Sequence, residues 1–199
     1  YDSSMEDEIA VRWRVSPYEF CSVQEFEQLK GNSEYYFLLT TKGQFKKETE
    51  PGLQFLTLVK GGEKAEGGID DMLEIVSLPI ASVEDPSGRE TVFLPAFLDI
   101  IQNYAADSME KDINAYTGLS NYSLNLAETK GIPVIFAQED LSTEIKDMVK
   151  QQTFDEMMSV TDEEGADRMM TDDKERAAVS YVAVPTEATP GSYCYKMLI

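Results

Sequence analysis

The chain has 199 residues, 42% of them hydrophobic and 10% aromatic, enough to bury about two thirds of its unfolded surface without a disulfide or metal staple and unlike a disordered chain. Thirty-seven acidic residues against seventeen basic ones give a net charge of −20. That field repels phosphate backbones and anionic headgroups, which argues against nucleic-acid binding, and it attracts basic proteins and cations.

Ile9, Val11, Trp13 and Val15 alternate with Ala10, Arg12 and Arg14, which predicts a half-buried strand. Ser22 and Glu25 have capping-box spacing, and Val23, Phe26 and Leu29 give the helix that follows an apolar stripe. Gly31 and Asn32 are expected to end it. The stretch from Glu34 to Thr41 is rich in strand formers, and Lys42-Gly43 predicts a turn toward a second strand around Gln44 to Lys47. Leu53 to Val59 and Leu73 to Ala81 are further predicted strands. Between them, Lys60 to Gly68 holds four glycines and is expected to be a mobile loop. Asp85-Pro86-Ser87-Gly88 predicts a turn into an extended Thr91 to Leu94. Pro95 then suits the first position of a helix with Phe97, Ile101 and Tyr104 on one face.

In the second half, Ser120 to Leu126 and Gly131 to Ala137 read as a strand pair. Ser142 is expected to cap a helix bearing Ile145, Met148 and Val149. Apolar spacing slips at Gln151-Gln152, and Thr153 with Glu156 predicts a second helix running into Met157 and Met158. Thr161 with Glu164 gives a third start signal. Val179 to Val184 and Tyr193 to Ile199 close the chain as strands joined by a Pro/Gly/Thr turn. Strand runs punctuated by helices predict an α+β fold, a mostly antiparallel sheet with several short helices packed against it. The expected core includes Trp13, Phe37, Leu39, Phe55, Val134, Phe136 and Val182. Residues 1–199 read as a single domain, with a two-lobe division near 106–120 as the alternative.

The chain contains no histidine. This removes Ser-His-Asp and Cys-His catalysis, the neutral-pH proton shuttle and imidazole zinc sites. Carboxylate chemistry survives, since glycosidases work with two acids, but sequence selects no pair among thirty-seven. Ser108-Met109-Glu110-Lys111 matches the S-x-x-K of penicillin-interacting enzymes and Ser123-Leu124-Asn125 matches S-x-N, yet no K-T-G occurs. Gly62 to Gly67 has phosphate-loop glycine spacing, followed by Gly68 and Ile69 where Lys and Ser/Thr are required. No catalytic or cofactor-binding residue is therefore assigned, and no cofactor is expected.

Residues 155 to 175 carry nine acids and two bases. An EF-hand register with Gly165 at loop position 6 puts Val160 first and Thr171 twelfth, so it fails at both anchors. Asp162, Glu163, Glu164, Asp167, Asp172 and Asp173 remain as candidate ligands for a divalent cation. Met148, Met157, Met158, Met169 and Met170 lie in and around the same stretch, and adaptable methionines beside acids suit a partner with a basic or apolar surface. Cys21 and Cys194 form no C-x-x-C and read as two buried thiols or one long-range disulfide. Asn121-Tyr122-Ser123 is a glycosylation sequon, and Lys42, Lys46 and Lys47 form one small basic patch.

The longest apolar runs, such as Ile132 to Ala137, fall far short of the ~20 residues of a transmembrane segment. A start at Tyr1-Asp2-Ser3 without Met or a leader predicts a processed chain in an exported or organellar compartment. Three functions fit these features: a non-catalytic accessory or interaction subunit of a larger assembly, an exported small-ligand or divalent-cation-binding protein, and a carboxylate-based hydrolase. The first is favoured by the missing catalytic motifs and the charge.

Overall fold

The computed structural model describes residues 2–110, 131–150, 158–171, 177–188 and 192–199. Among them the fold is α+β, with five helices, one antiparallel three-stranded sheet and one mixed four-stranded sheet. The chain divides into two units. The first comprises Tyr1–Gly43, Gln54–Ile80 and Leu94–Tyr122, and the second comprises Gln44–Leu53, Ala81–Phe93 and Ser123–Ile199.

The first unit opens with α1 (Asp2–Arg12), where alternation predicted a strand. Met5, Ile9 and Trp13 are spaced at i, i+4 and i+8, a helical stripe that coincides with strand alternation over so short a span. Ile9 and Trp13 are buried while Val11 is 66% exposed, as one helical face requires. Glu8 and Arg12 bridge at 3.0 Å across one turn, and Arg12 also meets Asp99 at 3.2 Å. The Arg14 amide donates to Gln102 Oε1 at 2.7 Å, which fixes the exit of the helix.

Helix α2 (Val23–Leu29) starts at the predicted box: Ser22 Oγ accepts from the Glu25 amide, and the Ser22 amide donates to Glu25 Oε2. That backbone donor and the Ser22 hydroxyl hold the Glu25 carboxyl below its ordinary pKa. Phe26 and Leu29 pack with Leu39 against a buried cluster of Phe37, Val59, Ala65 and Met72.

The first sheet has order β1-β2-β3, with β1 at Tyr36–Gly43, β2 at Leu53–Lys60 and β3 at Leu73–Ser82. Hydroxyls cross it in a ladder, Thr41 to Thr57 at 2.9 Å and Thr57 to Ser77 at 2.8 Å. No strand forms at Gln44 to Lys47. A turn stands there instead, because the Glu48 amide bonds Phe45 O and the Glu48 carboxylate accepts from the Phe45 amide.

The stretch Lys60 to Gly68, expected to be mobile, is folded. Glu63–Gly67 is a 3-10 turn whose Ala65 is fully buried in the cluster around Phe37. One methyl group suffices as an anchor because the backbone is also tied: the Gly61 amide donates to Tyr35 O and the Gly62 amide to Lys30 O, both at 2.9 Å. Gly62 and Gly68 take positive φ values of 150° and 116°, conformations open to glycine at little cost.

Helix α3 (Arg89–Glu110) begins six residues before Pro95, so Thr91 to Leu94 is helical rather than extended. Ser87 Oγ accepts from the Arg89 amide at 3.3 Å and Glu90 Oε2 from the Gly88 amide at 2.9 Å. The S-x-x-E start signal at Ser87 to Glu90 thus outweighs the proline, which removes one helical hydrogen bond. Phe97, Ile101 and Tyr104 are buried along one face, together with Leu98 and Ala105.

The second unit holds β4 (Val134–Ala137), β5 (Met158–Thr161), β6 (Ala178–Ala183) and β7 (Tyr195–Leu198), in the order β5-β4-β6-β7. β4 pairs in parallel with both β5 and β6, and β6 pairs antiparallel with β7. Two of the described pairings are therefore parallel, which the irregular strand spacing did not suggest. Helix α4 (Thr143–Lys150) lies between β4 and β5 in the chain, and α5 (Glu163–Thr171) connects β5 to β6 and packs on all three parallel strands. The Ser142 hydroxyl caps α4 as expected, accepting from the Ile145 amide at 3.4 Å. Met158 opens β5, and residues 153–157, where a second helix was expected, lie outside the described residues.

None of the seven expected core residues is exposed. In β4 and β6, however, the fully inward positions are Ile135, Ala137, Val179, Tyr181 and Ala183, while Val134, Phe136 and Val182 are half-buried. Both cysteines are free and exposed, against the expectation of buried thiols or a disulfide. Both lie in irregular segments, Cys21 just before α2 and Cys194 just before β7. No helix among the described residues is long and apolar enough to cross a membrane.

Candidate functional site

Two features stand out, one in each unit. The first is a groove of about 1150 Å³ wholly within the first unit. That volume lies somewhat above the range for small-molecule clefts, roughly 300–1,000 Å³. Its walls come from α1, the segment leading to α2, α2 itself and β1, and seven aromatic residues line it: Trp13, Tyr18, Phe20, Phe26, Tyr35, Tyr36 and Phe37. Tyr18 and Phe20 meet edge to face at 5.7 Å and are 44% and 54% exposed. Val23, Tyr35 and Ile69 are further exposed apolar residues of the lining. Its charged members are Glu6, Glu19, Glu27 and Glu34; Lys30 pairs with Glu27 at 2.7 Å, and the Lys60 ammonium lies 5.6 Å from the centre of the Tyr36 ring. An apolar trough rimmed by carboxylates is the result.

The second feature is a buried charge cluster around Arg89, the first residue of α3. Its Nε donates to Asp167 at 2.8 Å, Nη1 to both Asp140 oxygens at 3.3 and 3.4 Å, and Nη2 to Ser180 O at 3.1 Å. Glu163 stands 3.9 Å from Nε. The guanidinium also lies over the rings of Phe93 and Tyr181, 5.1 and 5.5 Å from their centroids. Ser180 Oγ donates to Asp140 at 2.5 Å and accepts from the Ala137 amide at 3.0 Å. Side-chain exposure is 5% for Arg89 and 6% for Asp140.

Topology explains the gathering. Asp140 follows the carboxyl end of β4, and Glu163 and Asp167 follow that of β5. The order β5-β4-β6 reverses direction between β4 and β6, the switch point at which open α/β sheets place a ligand crevice. Here the chain's own arginine bonds into that place.

Burial penalises the Arg89 charge, but hydrogen bonding to Asp167 and the surrounding carboxylates outweigh it and hold its pKa above the ordinary value. Burial raises the Asp167 carboxyl, against the lowering pull of Arg89. It raises Glu163 as well, with Asp167, Glu139 and Asp140 adding repulsion. Two carboxyls of raised pKa are what general acid catalysis needs. Asp167, however, is committed to a guanidinium, and the groove lining includes neither residue.

The four candidate cation ligands among the described residues are thus engaged separately. Glu163 and Asp167 face Arg89, Asp162 Oδ1 caps α5 by accepting from the Gly165 amide at 2.8 Å, and Glu164 pairs with Arg168 at the surface. Asp172 and Asp173 lie outside the described residues. Among the described residues no three Cys, Asp or Glu side chains are grouped as a metal would require. The glycine run at Gly62 to Gly67 carries a buried alanine where a phosphate loop would open, and Val160 and Gly165 stand in a strand and a helix rather than a calcium loop. Lys111, the strand Ser120 to Leu126, the sequon, the S-x-N triplet and Met157 also lie outside the described residues. Met148 and Met158 are exposed, at 48% and 43%.

Sequence reading missed Arg89 altogether, although the start signal at Ser87 to Glu90 marks it as a first-turn residue. The groove had no sequence signature, because its lining residues are brought together from separate elements. No protein-family model matches the chain, and no curated protein or solved structure shows significant similarity to it.

Proposed function

We propose that the protein is a non-catalytic accessory or interaction subunit of a larger assembly. The observation that supports this most is the groove of the first unit. Exposed aromatic side chains concentrated in one trough mark interaction surfaces more often than solvent-facing ones, and the carboxylate rim gives the trough a sign. A basic partner with apolar anchors fits it. The acidic stretch from residue 155 to 175 is the weaker candidate surface, because Glu163, Asp167 and Asp162 are engaged within their own unit.

The test is the size of the native species. Extract from the source cells, fractionated by size at low and at high salt, should show the chain well above its 22.3 kDa mass at low salt. The assembly should shrink at high salt as screening shortens to a few ångströms. Elution at the monomer mass under both conditions refutes the reading.

A further inference from the structure

We infer that the edge of β1 left unpaired among the described residues accepts an extended, lysine- or arginine-rich segment of a partner protein as an added strand, with the groove receiving that segment's apolar side chains. The inference rests on the reading of the chain as a partner-binding protein and names the partner's chemistry.

Among the described residues β1 is an edge strand of the β1-β2-β3 sheet. Its outer N–H and C=O groups are a ready template for another strand. The groove lies along that edge. Every residue from Glu34 to Thr40 lines it, whereas successive side chains of a strand point to opposite faces. A cavity on one face would touch alternate residues; the lining holds Tyr36 to Thr40 of β1 without a gap, as a path along the edge does. Eight residues at ~3.4 Å each give an edge of ~27 Å, the reach of a strand of similar length. Edges are ordinarily blunted by charge, proline or a bulge. Tyr36-Phe37-Leu38-Leu39-Thr40-Thr41-Lys42-Gly43 has one charge, near its end, and no proline. The segment Pro17–Cys21, which lines the same groove, makes no hydrogen bond to β1 among the described residues.

Charge selects the occupant. Strand addition by a second copy of this chain would bring two acidic rims and two net charges of −20 together, which is unfavourable. A segment alternating basic and apolar residues meets aromatic walls with one set of side chains and Glu6, Glu19 and Glu34 with the other.

The probe is a blocked peptide of about nine residues alternating lysine with valine or phenylalanine. Trp13 is the chain's one tryptophan and lines the groove, so its fluorescence reports occupancy. Saturable binding is expected, with hydrogen-exchange protection of the β1 amides. Two N-methylated versions, blocking alternate sets of amides, should differ: one edge faces β1, so one version loses at least about tenfold in affinity and the other little. Glutamate in place of the peptide's lysines should abolish binding. The surface substitutions Glu19→Lys and Glu34→Lys in the protein should weaken it by a similar factor.

No binding, equal effects of the two N-methylations, or equal binding of a basic peptide locked in a helix would each overturn the inference. So would a dimer in sedimentation that the peptide cannot dissociate. If the native assembly forms normally with Glu19→Lys and Glu34→Lys, the edge inference fails while the accessory-subunit reading stands. Absence of any assembly with the wild type sinks that reading instead.

Discussion

Replacing Arg89 with methionine tests whether the charge cluster holds the second unit together. The substitution keeps an unbranched apolar stem against Phe93 and Tyr181 but deletes every hydrogen bond of the guanidinium. Asp140 and Asp167, exposed at 6% and 18%, then lose their cation. Breaking a buried pair from one side costs about 3–5 kcal/mol. A ceiling comes from protonation. A carboxyl with an ordinary pKa near 4 can neutralise itself at pH 7 for about 4 kcal/mol, and Asp140 keeps its bond from Ser180. The expected loss is therefore about 3 kcal/mol at pH 7, and the deficit should shrink by up to ~1.4 kcal/mol per pH unit on acidification. Urea unfolding by far-UV circular dichroism at pH 7 and pH 5, with hydrogen exchange on β4 and β6 amides, measures both quantities. Adding Asp140→Asn and Asp167→Asn to Arg89→Met should recover stability at pH 7. A loss under ~1 kcal/mol, or one that is equal at both pH values, refutes the reasoning.

Two further outcomes follow from particular groups. Gly61→Ala should lower stability by about 1–3 kcal/mol, because a Cβ there meets the backbone carbonyls of Asn32 and Lys30. An unchanged Tm would show that the turn yields more easily than its backbone ties imply. Glu163 and Asp167 have folded-state pKa values raised by burial, so the stability linked to them is present below the ordinary carboxylate range and is lost as pH rises through the raised values. Glu163→Gln should accordingly stabilise the protein at pH 7 but not at pH 4; equal shifts in Tm at both would exclude the linkage.

Legibility in the sequence followed how local each signal is. The Ser22–Glu25 box, the Ser142 cap and the strands at β2, β3, β6 and β7 are read from neighbours in the chain, and they form where expected. The segment Ile9 to Val15 misled because Ile9 and Trp13, four apart, fit both strand alternation and a helical stripe, and the deciding members, Met5 and the Glu8–Arg12 pair, lie just upstream or on the polar face. Pro95 drew attention from the stronger start signal at Ser87. Val134, Phe136 and Val182 are expected inward from their place in strand-like runs. In a strand packed on both faces, alternation gives no choice of face, and the tighter side holds Ile135 and Ala137. The Arg89 cluster joins residues 51, 78 and 91 positions apart, which periodicity does not reach.

The two features bear on function in opposite ways. At the β4/β6 switch point the carboxylates are bonded to Arg89 and Ser180, so a ligand entering there would first have to displace a guanidinium bound by two acids and a carbonyl. Several kcal/mol of existing interaction oppose that exchange, which makes the crevice a structural joint. The β1 groove has no such competitor among the described residues: Tyr18, Phe20 and Tyr35 are exposed and the outer backbone edge of β1 is unpaired there. Binding there removes apolar surface from water at ~25 cal/mol per Å² and satisfies edge amides already held in strand geometry, so little backbone order has to be created on the protein's side. The cost of ordering falls on the partner segment, which is why a peptide of alternating chemistry with an intrinsic preference for extended backbone should bind more tightly than one of equal charge and scrambled order.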